Sequence, residues 1–392
     1  MPEIREEEKK RWIAHIDMDA FFVSVEVALL ASLKNKPVVV GGNPERRGVV
    51  CSASYEARKY GIKSGMPLFK AKKLCPALVF LKPRFSLYQE YSERIYRFLK
   101  KYVPLVEKAS IDEYYLDLTG CERLYGDIRS FSLFLKERIW QEIGLPCSMG
   151  LACNKFVAKM ASEQAKPGGF LYVPHGEEIS FLSPIPVGEM IGIGKNIEKK
   201  LRKMGIKTIG DIAKFSLSLL VNSFGKLGKY IWERARGIDL RKVESYHMRK
   251  SLGREITFDK DSDNKKFLER VLICLVEELC FKLREEKVKT KTVTLKIRYF
   301  NFNTITRSQT IRATNCDNKI YKTTKKLLEK TYIPGFKVRL LGLRFSNLVE
   351  ENYSLTLFHD KEEKEANLFK GIDLIRKKFG NVIHLGRYLI ST

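Results

Sequence analysis

Two acidic spots in this chain have the residue types and spacing for chemistry. One is Asp112-Glu113, inside Ala109-Ser110-Ile111-Asp112-Glu113-Tyr114-Tyr115-Leu116-Asp117-Leu118. The other is Asp17-Met18-Asp19, which closes the apolar run Trp12 to Ile16. Adjacent carboxylates among buried apolar residues are costly unless something positive sits between them, and a divalent cation is the simplest candidate. If Asp17 lies beside Asp112 and Glu113, three carboxylates share one pocket. That suffices for two Mg²⁺ ions about 3.5–4 Å apart, the arrangement used for in-line phosphoryl transfer. A helix cap at Asp17 and a polar hairpin turn at Asp112-Glu113 explain the same residues, and spacing alone leaves both readings open.

The surrounding pattern shows which elements would have to position these acids. Leu105 to Glu107 and Tyr114 to Leu118 read as two short strands with Ser110 to Glu113 at or near the bend. Neighbouring strand residues point to opposite faces, so Asp112 and Glu113 can serve one site only where the backbone turns. Asp17 ends a strand and precedes a helix running to about Leu33. Lys36 to Gly42 reads as a strand closed by glycines, and Tyr55 to Gly61 as one or two helical turns. Tyr55 and Arg58 are three apart and share a face, where a guanidinium fork beside a phenol suits a phosphate; a surface Arg with a half-buried Tyr is the plainer reading. Helices over about 82–101, 129–143 and 154–165, with a strand at 146–152, predict an α+β sheet domain with its helices on one face.

From about Val173 the texture changes. Ile191-Gly192-Ile193-Gly194-Lys195, followed by Leu201 to Ala213, fits a helix-hairpin-helix whose turn amides and helix N-terminus grip a DNA phosphate. Asp239 to Ser245 reads as a linker. Arg241 to Ser346 then carries 26 Lys+Arg against 12 Asp+Glu, a net +14 out of +26 for all 392 residues. Alternation over Lys291 to Tyr299 places basic and Thr side chains on one sheet face, which suits a duplex backbone or a merely solvated surface. The remainder, 347–392, has seven Lys+Arg and seven Asp+Glu, with a helix predicted from about Ala366 to Phe379.

The charge of +26 points to a polyanionic partner. No apolar run reaches the 18 or more residues of a membrane span, and the charged Met1 to Arg11 lacks a signal-peptide core. Eight cysteines without a Cys-x-x-Cys pair read as reduced packing residues of a cytoplasmic protein.

Five collinear stretches resemble the Y-family DNA polymerases of the bacterial DNA polymerase IV type. They are His15 to Phe22, Ser54 to Arg58, Ala109 to Glu113, Ala165-Lys166-Pro167-Gly168-Gly169 and Arg249 to Glu255. The resemblance implies an α+β, multidomain right-hand polymerase: a ferredoxin-like palm (1–17 and 84–173), small fingers (18–83), a helical thumb with the helix-hairpin-helix (174–240), a linker (241–250), an α+β little finger (251–346) and a C-terminal tail (347–392). It implies that Asp17, Asp112, Glu113 and the Met18 carbonyl hold two Mg²⁺. It places Phe21, Phe22, Ser52, Tyr55, Arg58 and Lys166 against the incoming dNTP, with Phe22 as a steric gate against ribose, and Gly192, Gly194, Lys195 and Arg254 against primer–template DNA. Asp19 matches a position that is not a metal ligand and reads as structural. The implied activity is low-fidelity, translesion, template-directed synthesis without proofreading, by a monomer. A two-metal nuclease, a nucleotide cyclase and a non-catalytic DNA-binding protein are the alternatives; each leaves some of these motifs without a use. Ser354-Leu355-Thr356-Leu357-Phe358 resembles the short sliding-clamp-binding peptide of such polymerases, with Leu355, Leu357 and Phe358 as anchors and Ser354 where Gln is usual. The rival for that stretch is a final edge strand.

Overall fold

The computed structural model describes residues 10–245, 248–351 and 360–379, with side chains from 367 in the last stretch. The chain divides into two compact units at 247/248.

Unit one opens on β1 (Ile13–Met18) and α1 (Phe21–Leu29). A small sheet of β2 (Val38–Val40), β3 (Ser52–Ala53) and β4 (Val79–Leu81) follows, with α2 (Tyr55–Arg58) and α3 (Leu68–Leu74) between its last two strands. Next come α4 (Phe85–Tyr102), the strands β5 (Leu105–Lys108) and β6 (Glu113–Asp117), α5 (Glu122–Tyr125), α6 (Ile128–Ile143), β7 (Cys147–Ala152), α7 (Lys155–Gln164) and β8 (Phe170–Tyr172). The helices α8 (Glu178–Leu182), α9 (Lys195–Lys203), α10 (Ile209–Lys214), α11 (Leu217–Phe224) and α12 (Lys226–Ala235) complete it.

The main sheet runs β5-β6-β1-β7-β8. Its helices do not lie on one face, as the sequence pattern suggested. Ala14, Ile16, Tyr114 and Leu116 pack with α4 and α6, whereas Ile13, Tyr115 and Ala152 pack with α7 on the opposite face. All six residues of β1 are buried, so the strand needs cover on both sides. Gly150 lets α7 lie close: a Cβ there would stand 2.1 Å from the Ala158 carbonyl oxygen. The helices on the other face follow from spacing. In α4, Tyr88, Tyr91, Ser92, Ile95, Phe98 and Leu99 form one buried stripe, and in α6 Ile128, Phe131, Ser132, Leu135 and Ile139 form another. Asp127 caps α6 by accepting from the Ser130 amide.

The stretch read as a linker is fastened to unit one at its start. Asp239 is buried and ion-paired with Arg234 and Arg241. Val243 is buried, and the Glu244 amide donates to Glu107 Oε2 (2.9 Å), which also takes the Lys155 ammonium (2.6 Å). The apolar Val243 and the buried acids account for this, against the polar look of the segment.

Unit two is an antiparallel sheet, β11-β10-β12-β9, built from β9 (Ser251–Ser262), β10 (Val288–Tyr299), β11 (Thr304–Thr314) and β12 (Val338–Glu350). The helices α13 (Lys265–Glu285) and α14 (Asp317–Thr331) cover one face over Val293, Leu295, Ile297 and Tyr299. The other face carries Thr292, Thr294, Lys296 and Arg298, with Arg344 opposite Thr294. Strand β12 runs four residues past the boundary expected at 346. Helix α15 (Asp360–Phe379) packs on α13: Arg284 pairs with Asp373 (2.6 Å), Arg376 with Glu277 (2.9 Å), and Phe369 is buried. The peptide Ser354 to Phe358, with Leu355, Leu357 and Phe358, lies outside the described residues.

Candidate active site

Register brings the acids together. Asp17 and Glu113 are direct partners across the β1–β6 ladder and so share the face that α7 covers. Asp112 lies in the turn just before β6, where the Ala109 and Ser110 amides both donate to the Glu113 carbonyl and the Met18 amide donates to the Asp112 carbonyl (3.0 Å). The turn frees Asp112 from strand alternation. Its carboxylate accepts from Ser110 Oγ (2.5 Å). Directly after β1, Ala20 takes a left-handed conformation (φ 45°) and starts α1, which has no side-chain N-cap.

A cavity of about 250 Å³ gathers these groups. Asp17, Met18, Asp112 and Glu113 form one wall, and Phe21, Phe22, Ser52, Tyr55, Arg58 and Lys166 form the others. The Arg58 guanidinium lies 4.6 Å from the Tyr55 ring centroid, and its Nε donates to the Ala53 carbonyl (3.1 Å). Asp19 is buried and accepts from Tyr55 Oη (3.1 Å), Ser148 Oγ (2.9 Å) and the Gly168 amide (2.8 Å). It thereby ties helix α2, strand β7 and the Lys166-Pro167-Gly168-Gly169 turn together.

Sequence reading missed two charged residues of α7, Glu163 and Lys159. Glu163 lines the cavity, and one ligand oxygen from each of Asp17, Glu113 and Glu163 lies within 4.8 Å of the others. Lys166 Nζ bridges Asp17 Oδ2 (2.8 Å) and Glu163 Oε1 (2.9 Å), and Lys159 Nζ sits 2.5 Å from Glu113 Oε2. The signal was present as Lys159, Glu163 and Lys166, four and three apart in and just after one helix. Burial raises the Asp17 pKa to about 7, against the pull of Lys166. Burial also pushes Glu113 upward, but the His15 ring and the Lys159 ammonium outweigh it and hold Glu113 at about 2. Lys166 is raised, its burial outweighed by Asp17 and Glu163. The ammonium groups now resting on Asp17, Glu113 and Glu163 mark a place that calls for positive charge, so the donor set fits hard divalent cations, which prefer carboxylate oxygen.

The other expected contacts lie elsewhere. Gly192 has φ +94°, Gly194 is the extended N-cap residue of α9 and Lys195 its exposed first residue, so this helix end presents amides with no side-chain cap. Arg254 lies on the helix-covered face of the second sheet with its guanidinium against Glu278, away from Lys296, Arg298 and Arg344.

Residues 16–163 match the impB/mucB/samB family, residues 249–357 its C-terminal domain, and residues 189–239 the DNA polymerase-iota thumb domain. The chain is 42% identical over 372 residues to a DNA polymerase IV of Dehalococcoides mccartyi, covering 94% of this chain and 95% of that one. It is 42% identical over 349 residues to a DNA polymerase IV of Clostridium perfringens, covering 88% and 96%. A solved chimeric Y-family DNA polymerase superposes with a TM-score of 0.77 at 27% identity, over 86% of this chain and 99% of that one. From its β1 acid to its basic second unit, the chain belongs to the Y family of DNA polymerases, in the bacterial DNA polymerase IV branch.

Proposed function

We propose that this Y-family enzyme extends a primer 3′ end with dNTPs at the cavity between β1, β6 and α7, as a translesion DNA polymerase using two Mg²⁺. The observation that carries the reading is one cavity lined by both Asp17, Asp112 and Glu113 and by Tyr55, Arg58 and Lys166. A nuclease needs the acids but has no use for a built triphosphate cradle. Asp17, Asp112, Glu113 and the Met18 carbonyl hold the ions. When bound, the ions lower the pKa of the primer hydroxyl and neutralise the triphosphate and leaving pyrophosphate. Arg58 supplies a planar pair of donors to the phosphates, and Tyr55, anchored through Asp19, backs it. Lys166 reaches the same phosphates from the far wall. Ser52 and the start of α1 at Phe21 close the pocket around them, and Phe22 meets the sugar.

The regions about 1–17 with 84–173, 18–83, 174–240 and 251–346 serve as palm, fingers, thumb and little finger. Gly192, Gly194 and Lys195 hold DNA backbone at the α9 N-terminus. Arg254, held by Glu278 on the helix-covered face, would contact DNA only if the duplex lies on that side of the second sheet. Eight free cysteines support a cytoplasmic site of action, by a monomer. The decisive assay is a labelled primer–template with Mg²⁺ and dNTPs: extension supports the reading, and degradation or cyclisation overturns it. Asp112→Ala should abolish extension while leaving DNA binding and the thermal midpoint in metal-free buffer unchanged or higher, because it removes one of several mutually repelling acids. Substantial extension by that variant would reject the assignment.

Leu355, Leu357 and Phe358 bind a sliding clamp. The support is apolar anchors within a neutral segment, which is a poor DNA binder but a suitable peptide ligand. Leu357→Ala with Phe358→Ala should leave activity on short linear templates intact and remove the gain in product length conferred by a loaded clamp. Equal loss in both assays would assign these residues to the protein's own core.

A further inference from the structure

Within unit two, the turn between β10 and β11 carries rings to which the roles above give no part. Phe300 and Phe302 lie in that turn and Phe336 in the segment leading into β12, and they are 49%, 63% and 43% exposed. The Phe300 and Phe336 centroids are 6.2 Å apart, and the Phe300 amide donates to the Lys337 carbonyl (3.0 Å). The Arg339 guanidinium lies over the Phe302 ring, 4.4 Å from its centroid. The two segments involved, 298–304 and 332–339, contain Arg298, Lys337 and Arg339 and no acid.

The backbone holds these rings in place. The Phe302 amide donates to the Tyr299 carbonyl (3.0 Å), the Tyr299 amide to the Asn303 carbonyl (2.9 Å), and the Asn303 amide to Asn301 Oδ1 (3.0 Å). Tyr299 is buried and its Oη donates to the Thr331 carbonyl (2.7 Å), which anchors the turn in the core. Phe302 has φ +64°, a conformation costly for a bulky side chain and free for glycine. Its ring recovers little of that cost through burial. Packing therefore does not account for a phenylalanine here, whereas a ring offered to solvent on a fixed backbone suits a stacking partner.

Exposed aromatic faces among cations match a partner with planar bases and anionic linkages. Only an unpaired strand offers its base faces, because in a duplex each base is covered by its neighbours. We propose that this tip of unit two binds single-stranded DNA, with bases stacked on Phe302 and Phe300 and phosphates held by Arg339 and Lys337. One face of the Phe302 ring carries Arg339, and a base takes the other. The strand is the unpaired template; that identification rests on the polymerase reading, and the binding itself does not.

The test follows fluorescence anisotropy of labelled oligo-dT with the full-length chain, beside an abasic oligonucleotide of equal length. The abasic strand keeps the phosphates and lacks the stacking faces. The parent should bind oligo-dT about tenfold more tightly or better. Phe302→Gly relieves the backbone and should hold or raise the thermal midpoint while lowering oligo-dT affinity by about fivefold or more. Phe302→Trp keeps a stacking face and should retain parental affinity. The salt slope should be unchanged in Phe302→Gly, which removes no charge, and smaller by about 0.7 in Arg339→Gln. Equal affinity of the parent for the two strands, or of the parent and Phe302→Gly for oligo-dT, overturns the inference and leaves the rings to a protein partner. An equal fall on both strands in Phe302→Gly also overturns it, because it reports a disturbed turn and not lost stacking. Primer extension by the parent reads the polymerase assignment separately: its failure would remove the template as the source of the strand and leave the oligo-dT result standing.

Discussion

Phe22 has neighbours on two sides. Its ring stacks on Tyr88 with centroids 4.4 Å apart and planes 13° apart, and meets Phe85 edge-on at 6.0 Å. It also lines the cavity five residues after Asp17. Phe22, which the family resemblance makes a sugar gate, is thus also a packed residue: the packed side stiffens the ring, and the open side faces the cavity. A rigid ring excludes a 2′-hydroxyl by clash, at a cost of about 1–3 kcal/mol if it resembles overpacking in a core. Phe22→Ala should then raise ribonucleotide incorporation roughly 5- to 150-fold relative to deoxynucleotide incorporation. Steady-state kcat/KM for the two sugars measures this. An equal fall with both would mean that Phe22 contributes packing alone.

Helix α7 is the element that turns a sheet with acids into a closed site. It carries Lys159 and Glu163, leads into Lys166, and sits on β7 where Gly150 leaves room. Gly150→Ala would drive a methyl into the Ala158 carbonyl and the Ser162 amide, at 2.1 and 2.4 Å, so helix or strand must shift. The expected cost is about 3 kcal/mol of stability. Displacement of the α7 charges by about 1 Å would add a loss of activity of order hundredfold. Chemical denaturation and primer extension together check this, and a variant with parental stability and rate would show that the contact yields easily. Much of this level was legible beforehand. The strand–acid–helix at Asp17, the Ser110 to Glu113 turn and the helices over 82–101 and 129–143 all announce themselves through periodicity and turn residues. What escaped is tertiary. That α7 takes the face opposite α4 and α6 depends on which side of a fully buried strand each helix covers; His15 and Asp17 distinguish the two faces of β1 but do not say which helix covers which. The docking of Asp239 to Glu244, and of α15 through Arg284 and Glu277, likewise depends on partners far away in sequence.

At the scale of the whole molecule the dominant feature is charge. The net +26 is concentrated in 241–346, yet it is unevenly available. Arg284 is taken up by Asp317 and Asp373, Arg254 by Glu278 and Lys325 by Glu269, all on the helix-covered side of the second sheet. The opposite face has few charges and many hydroxyls: Thr292 and Thr294 stand beside Lys296, Arg298 and Arg344, and Lys296 pairs with Glu255 at 2.8 Å. Such a face suits a phosphate backbone read without regard to sequence, because hydroxyls and a few cations contact phosphate oxygens and not base edges. If Lys296, Arg298 and Arg344 each neutralise one phosphate, changing all three to Gln should lower the slope of log affinity against log salt by about 0.9 per contact, or by roughly 2.7 in total. Affinity should fall by a similar factor on every duplex sequence, and single-nucleotide addition at saturating DNA should be unchanged, because the cavity acids belong to the other unit. Fluorescence anisotropy with a labelled primer–template across a salt series supplies the slope. An unchanged slope would move the DNA to the helix-covered side, where Lys322, Lys326 and Lys330 are exposed along α14. The same three-residue change on that ridge would then lower the slope instead.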